Sequence, residues 1–441
     1  MEALRIGAGA GFSGDRLEPA VVLAEEGRLD YLVLECLAER TIALAQLRRQ
    51  HNPDGGYDPL LDRRMELLLP VIRRKGVRLI TNMGAANPLA AARRIVEIAN
   101  GLGLRLRVAA VTGDDVLGSL DLEQPVLESG RPLREYEPVI SANAYLGADA
   151  LLPALLSEAE VIITGRVADP SLFVAPIVHR FGWRTDDAVR VARATAIGHL
   201  LECAGQVSGG YFADPGKKDV PGLATLGFPF ADVGEDGNGF IGKVEGTGGR
   251  VDIATVTEQL LYEVTDPSGY LTPDVTADFT TVRLQQAGPD RVAVSGATGR
   301  PRPASFKASV GYRAGFLGEG EISYAGTNAV ARAELAGAIV RERLRRELGE
   351  IRVDLIGSTS LHGRSFFAVE KPYEVRLRVA ARAPTKEGAS RVGEEVEALY
   401  TNGPSGGGGA RKYVHEQIGI VSCLVPRDHA PARLNLFESG S

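Results

Sequence analysis

Val161-Ile162-Ile163-Thr164-Gly165-Arg166-Val167-Ala168-Asp169-Pro170-Ser171 reads as strand, polar loop and helix. The apolar run ends at Thr164, Gly165 opens the loop, and a helical pattern begins after Asp169. The same shape occurs twice before it. Leu79-Ile80-Thr81 leads into Asn82-Met83-Gly84-Ala85-Ala86-Asn87-Pro88, and Ala110-Val111-Thr112 leads into Gly113-Asp114-Asp115. Short apolar runs bounded by turn residues fit strands buried on both faces. Strands alternating with helices predict a parallel sheet with helices on its faces. Ligands of open α/β sheets bind beyond the carboxyl ends of the strands, so the three Thr-ended loops are expected to form one site.

Working outward, Leu4-Arg5-Ile6-Gly7-Ala8 is a first strand and Tyr31-Leu32-Val33-Leu34 a second, ending at Glu35-Cys36. Helices are expected over about 17–27, 60–75, 88–102 and 186–203, with Asn87 capping a helix that starts at Pro88 and Asp169 capping one that starts at Pro170. Five strand–helix units favour an open, doubly wound sheet over an eight-stranded barrel. From about 205 to 249 Gly, Pro and Asp dominate, with aromatics between them, as in Gly209-Gly210-Tyr211-Phe212 and Gly227-Phe228-Pro229-Phe230. Beyond it, strands followed by helices predict a mostly antiparallel sheet. The expected organisation is α/β: residues 1–235 form a parallel doubly wound domain with helices on both faces, including the Gly/aromatic-rich connection, and 236–441 form an α+β domain.

The totals narrow the function. At 441 residues, 44% hydrophobic and 24% charged, the chain is an ordinary globular protein. A net charge of −6 argues against nucleic acid as a partner, because phosphate binding needs a basic face. Three scattered cysteines (Cys36, Cys203, Cys423) form no disulfide framework and no zinc motif. Met1–Arg5 enters a strand without a signal-peptide core, and no apolar run nears the ~20 residues of a membrane span. A cytoplasmic location is therefore expected, with no membrane partner.

Candidate site residues come from the strand ends. Asn82, Asn87, Thr112, Asp114, Asp115, Thr164, Arg166 and Asp169 share one sheet edge. The forked donors of Arg166 suit a carboxylate or phosphate; alternatively Arg166 pairs with Asp169, and the aspartates cap helices. Asp114 and Glu35 suit general acid–base work, and Asp114-Asp115 also suit magnesium. Cys36 at a helix start offers a thiolate, but no histidine is placed to activate it, and it reads better as a small buried filler. The loops holding Gly248 and Gly249, and Ser405, Gly406 and Gly407, offer backbone N–H groups for an anion, or are simply hairpin tips. Gly7-x-Gly9-x-Gly11 is part of a dinucleotide fingerprint, but the helix starts late and no ribose acid follows, so it reads as a tight turn. Among six histidines, His362 alone stands in a polar loop-like setting. No metal is expected, and no cofactor is strongly indicated.

Several strings carry a resemblance: Gly246-Thr247-Gly248-Gly249 before Thr255–Glu263; Asp266-Pro267, Tyr270 and Pro273-Asp274-Val275; Asn402-Gly403-Pro404-Ser405-Gly406-Gly407-Gly408-Gly409; the opening glycines; and Ile163-Thr164-Gly165-Arg166-x-x-Asp169. Together they resemble the acyclic terpene utilisation AtuA family over nearly the whole chain. The resemblance implies a setting in acyl-CoA or branched carboxylic acid metabolism, beside acyl-CoA carboxylase-type proteins, and assigns no reaction. The leading expectation is a homo-oligomeric enzyme of hydratase or lyase type acting on a carboxylic acid or acyl-CoA. In it Glu35 or Asp114 moves a proton and Arg166 holds the acid group. The alternatives are a non-catalytic scaffold subunit for acyl-CoA-processing enzymes, and a thioester hydrolase or acyl transferase using Cys36.

Overall fold

The computed structural model describes residues 3–363 and 372–440. Two compact units are present: one comprises 1–135, 139–311 and 420–441, the other 136–138 and 312–419.

In the first unit the chain runs β1 (Leu4–Ala10), α1 (Glu18–Glu26), β2 (Tyr31–Leu34), α2 (Glu39–His51), α3 (Leu61–Lys75), β3 (Arg78–Thr81), α4 (Pro88–Gly101) and β4 (Arg107–Thr112). It continues with β5 (Val139–Ala144), α5 (Leu152–Leu156), β6 (Val161–Thr164), α6 (Ser171–Phe181), α7 (Ala188–Glu202), β7 (Pro229–Val233), β8 (Gly239–Lys243) and α8 (Ile253–Leu261). Short strands follow: β9 (Tyr270–Leu271), β10 (Thr276–Asp278), β11 (Arg283–Gly288), β12 (Arg291–Ser295) and β13 (Thr298–Arg300). The chain crosses between the units within β14 (Ser305–Ala325) and again within β17 (Gly408–Pro426). Between those crossings lie α9 (Ala329–Leu344), β15 (Ile351–Ile356), β16 (Glu374–Ala383), α10 (Lys386–Glu397) and α11 (Leu399–Asn402); β18 (Arg433–Glu438) comes last.

The fold is α/β around a ten-stranded mixed sheet, ordered β11-β12-β8-β7-β1-β2-β3-β6-β4-β18. Its centre, β1 to β4 with β6, is parallel, and both flanks are antiparallel. The central strands are buried along nearly their whole length, as strands covered on both faces must be. Ile162 in β6 lies between Ile80 of β3 and Ala109 of β4. The strand order thus reverses here: the chain steps β1, β2, β3, β4, then turns back to place β6 between β3 and β4. Helices α1, α3 and α4 pack together, and α6 packs with α5 and α7. With right-handed crossovers the reversal puts the two groups on opposite faces. Helix α3 shows how sequence makes this: Leu61, Met65, Leu68, Leu69 and Ile72 form one buried stripe, and Gly76, at φ +71°, ends it in the left-handed region.

The second unit holds the antiparallel pairings of β16 with β14 and β15, beside β17. Ile322, Val340, Leu377, Val392 and Leu399 share its core with α9 and α10. The expected division at 235 falls between β7 and β8, which pair with each other within the ten-stranded sheet. The C-terminal strand β18 pairs with β4. Hydrogen bonding at both flanks therefore gathers distant stretches of chain into the first unit. Among the described residues no helix is long and apolar enough to cross a membrane.

Candidate functional site

The Thr-ended strands meet as their sequence implies. Thr81 Oγ1 donates to the Leu34 carbonyl at 2.9 Å and accepts from Met83 N at 3.1 Å, which ties the ends of β2 and β3 together. Thr164 Oγ1 donates to the Gly165 carbonyl at 2.9 Å. A Cβ on Gly165 would lie 2.4 Å from Asp114 Oδ1, so only glycine lets the β4 and β6 loops approach this closely. This contact seats Asp114 Oδ2 on the Arg166 N–H at 2.9 Å and on Asn143 Nδ2 at 2.8 Å. Thr112 ends β4 half-buried, opposite Arg433 of β18.

Arg166 is the centre of the cluster, and only 1% of it is exposed. Its Nη2 donates to Asp169 Oδ1 at 2.7 Å, its Nη1 donates to the Leu37 carbonyl, and its guanidinium lies 4.0 Å over the Tyr145 ring. Burial works against its charge, but Asp169, Tyr145, Glu35 and Glu39 outweigh it and keep it cationic. Glu35 is buried too: its Oε1 accepts from Leu37 N at 2.8 Å and Asn82 Nδ2 at 2.9 Å, while Asn82 Oδ1 accepts from Cys36 N at 2.7 Å.

The carboxyl groups differ by environment. Burial holds Glu35 well above the usual carboxylate range, helped by Asp169 and opposed by Arg166. Burial pushes Asp114 up to about 6, against the pull of its two donors. Asp169 is crowded by protein, yet its side chain is 36% exposed, so it sits in a recess open to water. That desolvation, reinforced by Glu202 and Glu39 and opposed by Arg166, lifts it to about 7. Glu39 goes the other way: burial is outweighed by the Tyr145 hydroxyl, which donates to it, and by the Arg166 charge, and it falls to about 2.

Several expectations change. Asp169 does not cap the following helix: α6 starts at Ser171 after Pro170, with no side-chain cap, because the carboxylate turns to Arg166 instead. Arg166 is therefore committed to the protein and has no exposed fork for a substrate acid. Asn87 is spent on structure, accepting from Ala90 N at 3.2 Å and donating to the carbonyls of Pro53 and Gly55, both at 2.8 Å. Gly248 N and Gly249 N donate to the carbonyls of Thr225 and Pro221 at 2.9 and 2.7 Å, so neither faces an anion. Ser405, Gly406 and Gly407 lie in the second unit, where the Ser405 carbonyl accepts from Arg332 Nη1 at 2.8 Å. His362 also lies in the second unit, exposed.

Burial pushes the Cys36 thiol well up, and Arg64 Nη1 donates to its sulfur, so it is a buried thiol and a poor nucleophile. Asp115 lies exposed, 3.5 Å from Arg49 Nη1. Gly11 marks a packing contact: a Cβ there would lie 2.5 Å from the Cys203 backbone at the end of α7.

The residues not foreseen are Glu39, Tyr145, Lys307, His199 and Glu202. Lys307 Nζ stands 3.5 Å from Glu39 Oε1 and 5.0 Å over the Tyr145 ring. His199 Nδ1 and Glu202 Oε1 lie 2.7 Å apart, buried at the end of α7. For His199 and Glu202 the only signal was their i, i+3 spacing near the end of α7. Among the described residues no group of three or more His, Cys, Asp or Glu side chains could hold a metal ion. A separate, mainly apolar cavity of about 250 Å³ beside α1, lined in part by Arg16, Val22, Phe228 and Thr247, touches none of these carboxylates.

A family model described as acyclic terpene utilisation family protein AtuA matches residues 4–436. No curated protein and no solved structure matches the chain.

Proposed function

We propose that this chain, which belongs to the acyclic terpene utilisation AtuA family, is an acid–base enzyme of hydratase or lyase type acting on an acyl-CoA or branched carboxylic acid. Family membership associates it with acyclic terpene utilisation; the chemistry is our reading of the cluster. The observation that carries it is the arrangement of Asp169 and Glu35 about one buried guanidinium at the reversal of strand order, where open α/β sheets bind ligands.

The roles follow from environment. Asp169, reached by water and titrating near 7, gives or takes a proton at neutral pH, where such a group works best. Glu35, held well above the usual carboxylate range by burial, is the reserve from which that proton is renewed in this reading. Arg166 fixes Asp169 and offers a permanent positive charge to an enolate-like intermediate. Asp114 positions Arg166 through its backbone N–H.

The test is binding and proton exchange. The purified protein is offered a panel of acyl-CoAs and their free acids, binding is read by native mass spectrometry, and deuterium uptake from D₂O at the α-carbon of the bound acyl group is followed. The wild type is expected to exchange. Asp169→Asn should lose about 10²–10⁴-fold, the usual worth of a general acid–base group, with its circular dichroism unchanged. Binding of neither class overturns the proposal, as does exchange indifferent to both Asp169→Asn and Glu35→Gln. Binding with no exchange in the wild type would support a scaffold instead.

A further inference from the structure

Helix α7 passes directly against the turn that carries Asp169. A Cβ on Gly198 would lie 2.7 Å from the Pro170 carbonyl, so only a glycine there allows the approach. Glu202 is one turn further along, on the same face of the helix, and its charge bears on Asp169. Both His199 and Glu202 are buried, 1% and 9% exposed, and His199 Nδ1 donates to Glu202 Oε1 at 2.7 Å.

Two buried acceptors here, Glu202 Oε2 and Gln259 Oε1, have no hydrogen-bond partner, and neither has the ring nitrogen His199 Nε2. Gln259, 2% exposed, donates through Nε2 to the His199 carbonyl at 3.2 Å. Turning that amide over would set oxygen against oxygen, so Oε1 remains an acceptor. The last carbonyls of α7 add further negative potential. A buried acceptor left unpaired is costly and rare in native proteins, so these two oxygens call for a hydrogen-bond donor. An anion would face Glu202 and the helix C-terminus, and the donor set for a metal ion is missing among the described residues.

We propose that Glu202, oriented by His199, is a second proton-handling residue beside Asp169, and that the group it receives is an O–H donor: a water molecule or a substrate hydroxyl. This rests on the acid–base reading above and names its second reactant. In the hydration direction the water O–H gives its proton to Glu202 Oε2 as the oxygen bonds to one carbon of a conjugated C=C. Asp169 gives its proton to the neighbouring carbon, so H and OH have been added. Glu202 then releases a proton to solvent and Asp169 takes one back. Dehydration runs the same steps in reverse. Glu202 touches the reacting oxygen, and His199 is a positioning residue.

Two measurements test this. A high-resolution crystal structure of the unliganded wild type is expected to show a water within about 2.6–3.2 Å of Glu202 Oε2 or Gln259 Oε1. The absence of a water at either oxygen, or an ion in its place, overturns the proposal whether or not turnover is ever found. In solution, Glu202→Gln is expected to lose at least about 100-fold in ¹⁸O exchange between H₂¹⁸O and the hydroxyl of a bound hydroxyacyl group, while α-carbon deuterium exchange through Asp169 persists. His199→Asn should keep the water but move the pH at which ¹⁸O exchange is half-maximal. Unchanged ¹⁸O exchange in Glu202→Gln sinks the inference alone; loss of α-exchange in the wild type sinks the underlying function alone.

Discussion

The two edges of the central sheet carry the same residue types and use them differently. At the amino edge, Arg5 reaches Asp232 through Nε at 2.6 Å and Nη2 at 3.0 Å, and Arg291 Nη1 reaches it at 3.0 Å. Those guanidiniums also lie over Phe230 and Phe240, at 4.4 and 4.3 Å. The arginine side chains are 29% and 39% exposed, so water absorbs their excess charge. At the carboxyl edge the cation is enclosed and outnumbered: Arg166, 1% exposed, faces Asp169, Glu35 and Glu39, with Asp114 on its backbone N–H. Burial there raises Asp114 to about 6 and Asp169 to about 7, while Glu39, held by the Tyr145 hydroxyl and Arg166, falls to about 2. Ion pairing alone is therefore no sign of function; burial without balance is.

The largest expected effect at pH 7 that separates the edges is Arg166→Ala. Removing the buried cation takes the counter-charge from Asp169 and Glu39; because those carboxylates are partly exposed, the cost falls below that of a fully buried pair, at about 2 kcal/mol. Urea unfolding at pH 7 measures it, and a loss below about 1 kcal/mol would mean the carboxyl edge is no different from the other.

The next effect is in pH. Asp114 rises from its ordinary 3.8 to about 6, so the folded protein binds that proton more tightly than the unfolded chain. Its contribution to stability is therefore greatest below 3.8, and it is lost as pH rises through 6. The span is worth about 3 kcal/mol. Asp114→Asn should remove that part of the difference in unfolding free energy between acid and neutral pH, and an unaltered profile would show that Asp114 is not held up by burial. The smallest effect belongs to the amino edge. Arg291→Ala should cost at most about 1 kcal/mol, shrink further in high salt, and leave α-carbon exchange untouched.

Much of the fold is legible because it is local. The parallel strands, their Thr ends and the helices α1, α3 and α4 come from short apolar runs, 3.6-residue periodicity and the cap at Asn87. Strands β7, β8 and β18 were hidden. The first two are short and sit in Gly- and Pro-rich chain, and all three are held by partners distant in sequence. The candidate site was legible where it lies on strand ends: Glu35, Asn82, Asp114, Arg166 and Asp169. Its remaining members, Glu39, Tyr145, Glu202 and His199, come from helix ends and a crossing loop, where spacing says little about what they face.

Sequence by itself therefore determined the parallel strands β1 to β4 and β6, where each hands over to a polar loop, and that Arg166 and Asp169 share one loop. These are properties of a few neighbouring residues. Only the tertiary structure decided that β6 lies between β3 and β4, that Arg166 turns inward to Asp169, and that a helix end brings Glu202 beside them. Those outcomes depend on burial and on charges brought together from distant parts of the chain, and no local pattern encodes them.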